Sequence, residues 1–216
     1  MTDLVIVGSG GFAREVLQVA LDLNDEQPRW NVLGFVDDNA ATHGASVHDL
    51  PVLGDAGWLA GRSGVHAVFG IGSPTVRRRV AARLPGAAFA TLVHPLAWLG
   101  RRVVLGPGTV VCAGTLLTTD IVVGEHGVLN LHCTVGHDAR LGDFVTLAPG
   151  VHVSGAVEIG DGCDVGTGSA LIQGVRVGAW TVVGAGSVVV RDLAANVTAV
   201  GAPARAIKER PAGWHL

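Results

Sequence analysis

Excess charge of either sign is the first thing this chain lacks. With 15 Lys and Arg against 18 Asp and Glu, its net charge is −3, and no basic surplus points to a nucleic-acid partner. Long apolar runs are also missing. Gly interrupts them every few residues, and none approaches the roughly 18 continuous residues of a membrane span. No basic, long-apolar start precedes Asp3 and the LVIV run, so no leader segment is expected. Cysteine is scarce: Cys112, Cys133 and Cys163 are an odd three with no CxxC pair, which predicts a reducing cytoplasm rather than a disulfide framework. Aromatic residues make up only 5%. The chain has instead 32 glycines and 49% hydrophobic residues, enough at 216 residues for a real core, with the Val, Ala and Gly excess of a β-solenoid.

Between Leu99 and Val189 every sixth residue is Leu, Ile or Val, sixteen hexads in one register, and in nine of them the next residue is Gly. No α-helix has that period. One inward aliphatic with a small or turn-forming neighbour describes a parallel β-helix with three six-residue sides, so that residues 18 apart stack about 4.8 Å from one another. The hexads amount to five coils. Their aliphatic column fills the interior, so an active site must lie on an outer face or between copies, and a three-sided prism predicts a trimer.

The chain divides near residue 93. Before it, LVIV (4–7), VLGFV (32–36) and AVFGIG (67–72) read as strands, and GSGGFA (8–13) opens a helix with Phe12, Val16, Val19 and Leu23 on one face. Ser73 and Pro74 are a good N-cap and first residue for TVRRRVAARL (75–84). The fold class is therefore α/β plus all-β: a small Rossmann-like parallel domain (1–92), then a parallel β-helix of hexapeptide repeats (93–216). Open sheets bind ligands at the carboxyl ends of their strands, here Gly8 to Phe12 with Gly10 and Gly11, Asp37 with Asp38, and Gly72 with Ser73. Backbone N–H groups of the glycine turn suit a phosphate, and the acidic pair suits ribose or sugar hydroxyls. A nucleotide-sugar is preferred over a dinucleotide because the α/β part is short for two mononucleotide halves, while glycines that only permit a tight turn remain an alternative. Arg77, Arg78 and Arg79 read as a solvated helix face.

The stretch 129–144, LNLHCTVGHDARLGDF, holds the close histidine pair His132 and His137. His137 follows Gly136 at a corner, from which a neutral imidazole can take a proton from an amine or hydroxyl attacking a thioester. One coil on lies Gly155, whose bare backbone N–H can face a developing oxyanion. Asp138 can meet His137 only through the bend of the corner, since neighbours on a strand point apart. His132 is a weaker candidate, and a surface role is the alternative for both. His126 and His152 lie on neighbouring coils and are expected to reach a trimer interface, whereas His43, His48, His66 and His215 fall in loops or the tail. Histidines five apart on a β-helix also resemble gamma-type carbonic anhydrases, but Leu96 and Arg101 occupy the stacked positions two coils before, so no third ligand lines up and no metal is expected. Cys133, in a strand without a reason for a low pKa, reads as packing rather than a nucleophile.

GSGGFAREV, FVDD, GIGSPTVRRR, the LN-x5-HDA segment, the hexads and VGAPAR at 200–205 together resemble the bacterial sugar acyltransferases: sialic acid O-acetyltransferases, perosamine N-acetyltransferases and bacillosamine-pathway nucleotide-sugar N-acetyltransferases. The resemblance implies a left-handed β-helix, a homotrimer, and acetyl-CoA as co-substrate in the groove between prisms. It implies His137 as general base with Asp138 raising its basicity, nucleotide-sugar contacts at Gly10, Gly11, Phe12, Asp37, Asp38, Gly72 and Ser73, and Asn130 near the acceptor. It places coenzyme A against Gly155, Thr167 and Ala185, with Pro203 near the adenine. Thr146 stands where the family often has a second, cofactor-touching histidine, and its hydroxyl retains one hydrogen bond to give there. Ser73 and Pro74 stand where relatives tend to carry Asn, which leaves the sugar open. The expected reaction is direct acetyl transfer to an amine or hydroxyl of a nucleotide-linked sugar. A non-enzymatic sugar-nucleotide sensor or scaffold, with the prism as a trimerisation stalk, is the alternative from another class.

Overall fold

The computed structural model describes residues 1–215. Its first part is a four-stranded parallel sheet in the order β2-β1-β5-β6, with β1 at Thr2–Val7, β2 at Trp30–Val36, β5 at Val65–Phe69 and β6 at Ala88–Phe89. Helix α1 (Gly11–Glu26) joins β1 to β2, and α2 (Pro74–Ala81) joins β5 to β6. Between β2 and β5 a short hairpin, β3 (Ser46–Val47) and β4 (Leu50–Pro51), turns at His48 and Asp49, both with positive φ (46° and 64°). Helix α1 forms because Ala13, Val16, Leu17, Val19 and Ala20 recur at helical spacing and bury against the sheet. Helix α2 stops at Ala81, three residues short of the expected end. Ser73 is its N-cap and Pro74 its first residue, yet the Ser73 hydroxyl meets Thr75 Oγ1 at 3.1 Å instead of capping the backbone.

The second part is a three-faced solenoid. Its first face stacks parallel strands at Leu92–Val93, Val110–Val111, Val128–Leu129, Thr146–Leu147, Asp164–Val165, Val182–Val183 and Val197–Val200, closed by the antiparallel Arg205–Glu209. The second face runs from Trp98–Leu99 through Thr134–Val135 to Val188–Val189, and the third from Val103–Leu105 through Arg140–Leu141 to Arg176–Val177. The stack has about seven turns rather than five. Val93 already points into the column one hexad before Leu99, and Ala199 closes it after a shortened last step. Leu117, Leu129, Leu147, Val165 and Val189 are fully buried, each contributing about 1.5–3 kcal/mol by leaving water. Coils are tied by backbone bonds such as Thr134 N–H to Val151 O (3.0 Å) and Gly136 N–H to Val153 O (2.8 Å). From Arg102 to Gly186 each corner has one left-handed residue. Glycine supplies many of them, and Asp120, His126, His132, Asp138, Phe144 and Trp180 supply others with φ between 55° and 62°.

The sheet domain sits on the first face. Leu92, Val110 and Cys112 join Ile6, Ala13 and Val16 in one core, and His126 packs among Phe69, Phe89 and Phe144 with ring centroids 4.5–5.1 Å apart. His126 is thus buried at 5% exposure, not on an outer surface as its register predicts, because its corner lies under the sheet domain. His66 lies on β5, not in a loop. The run Arg77–Arg79 is a solvated face only in part: Arg79 is exposed, but Arg77 is fully buried, because α2 lies against the solenoid edge. No helix is long and apolar enough to cross a membrane among the described residues.

Candidate active site

The three strand ends frame two adjoining depressions rather than one crevice. Gly8, Asp37, Asp38, Ala56, Ile71 and Val76 line a hollow of about 210 Å³. Ser9, Gly10, Gly11, Arg14, Val47 and His48 line an open one of about 360 Å³. Gly8 has φ +103°, and a Cβ there would lie 2.9 Å from Ile71 Cγ1, so the first and third strand ends touch only because residue 8 has no side chain. Asp37 shapes this loop. Its Oδ2 accepts from Ser9 N–H (2.8 Å) and Ser9 Oγ–H (2.6 Å), and its Oδ1 from Asn39 N–H (2.9 Å). That leaves Asp38 as the carboxylate more available to a hydroxyl, although Arg83 bonds its Oδ1 at 2.7 Å and holds its carboxyl below the usual range.

Helix α1 begins at Gly11 with no side chain capping it and no acidic residue in its first turn, which leaves a positive helix end facing the second depression. Arg14 and His48 complete that wall, and the glycine pattern alone pointed to neither. Phe12 is half-buried and packs toward the α1 core. Gly72 and Ser73 line neither depression; the Gly72 carbonyl instead accepts from Arg77 Nη1 (2.8 Å) and Thr146 Oγ1 (3.0 Å). A larger cavity of about 580 Å³ lies between the 57–65 segment and the 83–88 segment. It flanks the amino ends of β5 and β6, the wrong end of the sheet for a ligand.

His137 occupies the edge between the second and third solenoid faces, in the turn between Thr134–Val135 and Arg140–Leu141. The left-handed φ of Asp138 (62°) bends the chain so that adjacent side chains meet, and His137 Nδ1 lies 2.8 Å from Asp138 Oδ2. Both side chains are more than half exposed. A Cβ on Gly155 would fall 2.6 Å from His137 Nε2, so the missing side chain first makes room for the imidazole itself. The Gly155 N–H has no acceptor among the described residues. His132 and Asn130 lie on the other edge of the second face, in the turn that follows Val128–Leu129. His132 and His137 are therefore close in sequence but separated by a whole side of the prism. His152, on the second face, accepts or donates at 2.9 Å with Thr134 Oγ1.

Residues 3–84 match the family model for the PglD N-terminal domain. Over 215 residues the chain is 30% identical to a GDP-perosamine N-acetyltransferase of Escherichia coli O157:H7, covering 95% of this chain and 96% of that one. The chain belongs to the bacterial hexapeptide-repeat sugar acetyltransferases. Among solved structures it resembles PerB from Caulobacter crescentus in complex with CoA and GDP-perosamine, with TM-score 0.86, 33% identity, and 96% and 98% of the two chains covered. It also resembles the acetyltransferase domain of PglB from Neisseria gonorrhoeae in complex with acetyl coenzyme A, with TM-score 0.84, 30% identity, and 95% and 99% covered.

The residues that the family pattern assigns to the cofactor do not form one column in the chain. Gly155 sits on the His137 edge, whereas Thr167, Ala185 and Pro203 follow one another up the opposite edge of the second face. Thr146 is elsewhere again. It is buried on the first face, donating to Gly72 O and accepting from Arg77 Nη2 at 2.9 Å, so its single hydroxyl proton is directed to protein and not left for a cofactor. Among the described residues no group of three His, Cys, Asp or Glu is placed to hold a metal. All three cysteines are free and buried; burial pushes the thiol of Cys133 up to about 11, and its Sγ meets Ala148 O at 3.2 Å, which is packing and not nucleophilic activation. His94 escaped the sequence reading. It is buried, its Nδ1 accepts from Leu96 N–H and its Nε2 faces Asp22 at 2.7 Å, tying α1 to the first coil across 72 residues that no local pattern connects.

Proposed function

We propose that the chain transfers the acetyl group of acetyl-CoA to an amine, or hydroxyl, of a nucleotide-linked sugar, as a cytoplasmic homotrimer whose active sites are shared by neighbouring copies. One observation carries the shared arrangement. The sheet domain covers the first solenoid face with α1 and its sheet, whereas His137 stands on the edge between the other two, which in a three-sided prism points away from that face. A sugar held by one copy is thus offered to the imidazole of another. Exposed Leu96, Trp98, Val104, Leu116 and Val122 on the first coils supply apolar surface for such packing. The CoA and GDP-perosamine bound by PerB support the donor and acceptor classes, and the N-acetyltransferase relative favours an amine.

In this reading the diphosphate lies on the amino end of α1 with Arg14 and His48 beside it, and Asp38 takes sugar or ribose hydroxyls. Asp138 accepts from Nδ1–H of His137, which leaves the Nε2 lone pair free. As the acceptor nitrogen bonds to the thioester carbonyl carbon, Nε2 takes the proton the nitrogen sheds, and the Gly155 N–H faces the developing oxyanion. The carbon–sulfur bond then breaks, and the proton on His137 passes to the departing thiolate. Nothing becomes attached to the enzyme.

The test is His137→Ala, assayed by thiol release from acetyl-CoA with GDP-perosamine. Turnover falls on the order of 10²–10⁴-fold while oligomeric state and sugar binding persist; undiminished turnover removes His137 as the base. Mixing His137→Ala copies with copies blocked by Gly10→Glu restores part of the activity if sites are shared, and no restoration sinks that arrangement.

A further inference from the structure

Arg77 is the largest fully buried side chain of the protein at 0% exposure, and its charge meets no carboxylate within ion-pair distance among the described residues. Its guanidinium is spent on neutral acceptors from both parts of the chain. Nη1 donates to Ile71 O (2.9 Å) and Gly72 O (2.8 Å), the backbone at the third strand end. Nε donates to His126 O (3.1 Å), and Nη2 to Phe144 O (2.8 Å), Val145 O (3.3 Å) and Thr146 Oγ1 (2.9 Å) on the solenoid. Thr146 closes the ring by donating to Gly72 O (3.0 Å). Six contacts exhaust the five N–H bonds of a guanidinium, so no donor is left for a ligand, and the group is sealed from solvent.

A buried cation satisfied only by carbonyls and one hydroxyl costs more than an apolar side chain of the same volume, and holding the two parts together needs no charge. What the fork supplies is direction: two planar pairs of donors set the Gly72 end of the sugar-binding sheet at one place against two successive coils. We propose that Arg77 is a positioning residue for the acceptor, fixing on the solenoid the third strand end, whose Ile71 lines the Asp38 hollow, so that the bound sugar meets the base of the neighbouring copy at reacting distance. This rests on the acetyl-transfer reading above. Arg77 touches neither substrate, and it acts through the Ile71–Gly72 backbone, with Thr146 bracing Gly72.

The experiment compares Arg77→Met, Arg77→Lys and Thr146→Val in the full chain at a temperature well below each melting midpoint. It measures kcat and KM for GDP-perosamine and the Kd of CoA. A misplacement near 1 Å costs about 10²-fold in rate, so Arg77→Met is expected to lower kcat/KM for the acceptor about 10²-fold with the CoA Kd within twofold. Arg77→Lys recovers less than tenfold of this, because one ammonium cannot span both sides. Should Arg77→Met fail to fold, Thr146→Val, which keeps the shape and removes the hydroxyl that links Arg77 to Gly72, is expected to lower acceptor kcat/KM about tenfold with CoA affinity intact. Folded variants with acceptor kcat/KM within threefold of wild type overturn the proposal, as does a loss that appears wholly in the CoA Kd. If wild type transfers no acetyl group at all, the acetyl-transfer reading fails on its own, and the Kd of GDP-perosamine then decides: unchanged in Arg77→Met, the positioning role is gone.

Discussion

Acid should loosen this fold through one residue. His126 sits at a solenoid corner among Phe69, Phe89 and Phe144, its Nδ1 has no hydrogen-bond partner among the described residues, and burial with the nearby Arg77 charge lowers its pKa from 6.5 to about 4, against a smaller opposing pull from Asp143. The unfolded chain therefore binds this proton at a higher pH than the native one. Stability rises with pH wherever the unfolded state holds more protons, so this contribution is intact above about 6.5 and is lost as pH falls toward 4. The gap is worth roughly 3 kcal/mol in all, at up to about 1.4 kcal/mol per pH unit. Asp164, raised by its own burial, works in the opposite sense in the acid part of this window, and only a comparison isolates the histidine. Urea unfolding between pH 7.5 and 4, at fixed protein concentration because assembly adds to stability, is measured for wild type, His126→Phe and His126→Leu. Any packing cost of the variants is independent of pH. Their curves are therefore flatter than that of wild type by the histidine share, and curves parallel to wild type refute the reasoning.

Gly155→Ala places a methyl 2.6 Å from His137 Nε2, where ordinary contacts are longer; the ring must move, and turnover falls about 10²-fold at unchanged melting temperature, whereas wild-type turnover means the ring does not need that space. Leu129→Ala, at 0% exposure in the solenoid column, costs about 2–5 kcal/mol in urea unfolding; a loss under 1 kcal/mol contradicts a close-packed interior. Cys112, Cys133 and Cys163, with thiols pushed up to about 12, 11 and 12 by burial, stay silent to an aromatic disulfide reagent at pH 8 in the native protein and react once it is unfolded. A thiol titrating at once in the native state contradicts their burial.

Much of this was legible because a solenoid is nearly one-dimensional. Each coil touches only its neighbours, so a six-residue period states which side chains face inward and an eighteen-residue offset states which stack. Leu99 through Val189 line the interior as the period requires, and Gly155 lies over His137. The corner that lets Asp138 reach His137 was legible as a requirement, though its left-handed φ of 62° is a structural observation. The glycine loop was legible as a tight turn into α1, but not the commitment of Asp37 to Ser9, because one carboxylate in sequence looks like another until its partners are placed.

The amino-acid sequence by itself determined the prism, the sheet before it and the imidazole at its corner, since all three follow from spacings shorter than one coil or from the stacking of adjacent coils. The tertiary structure alone decided what lies between the two parts. Arg77 reaching Phe144 across 67 residues, His94 reaching Asp22 across 72, and His126 disappearing under Phe69 and Phe89 depend on which face the sheet domain covers. No repeat encodes that contact, because a docking surface is made once, by shapes and donors that are far apart along the chain.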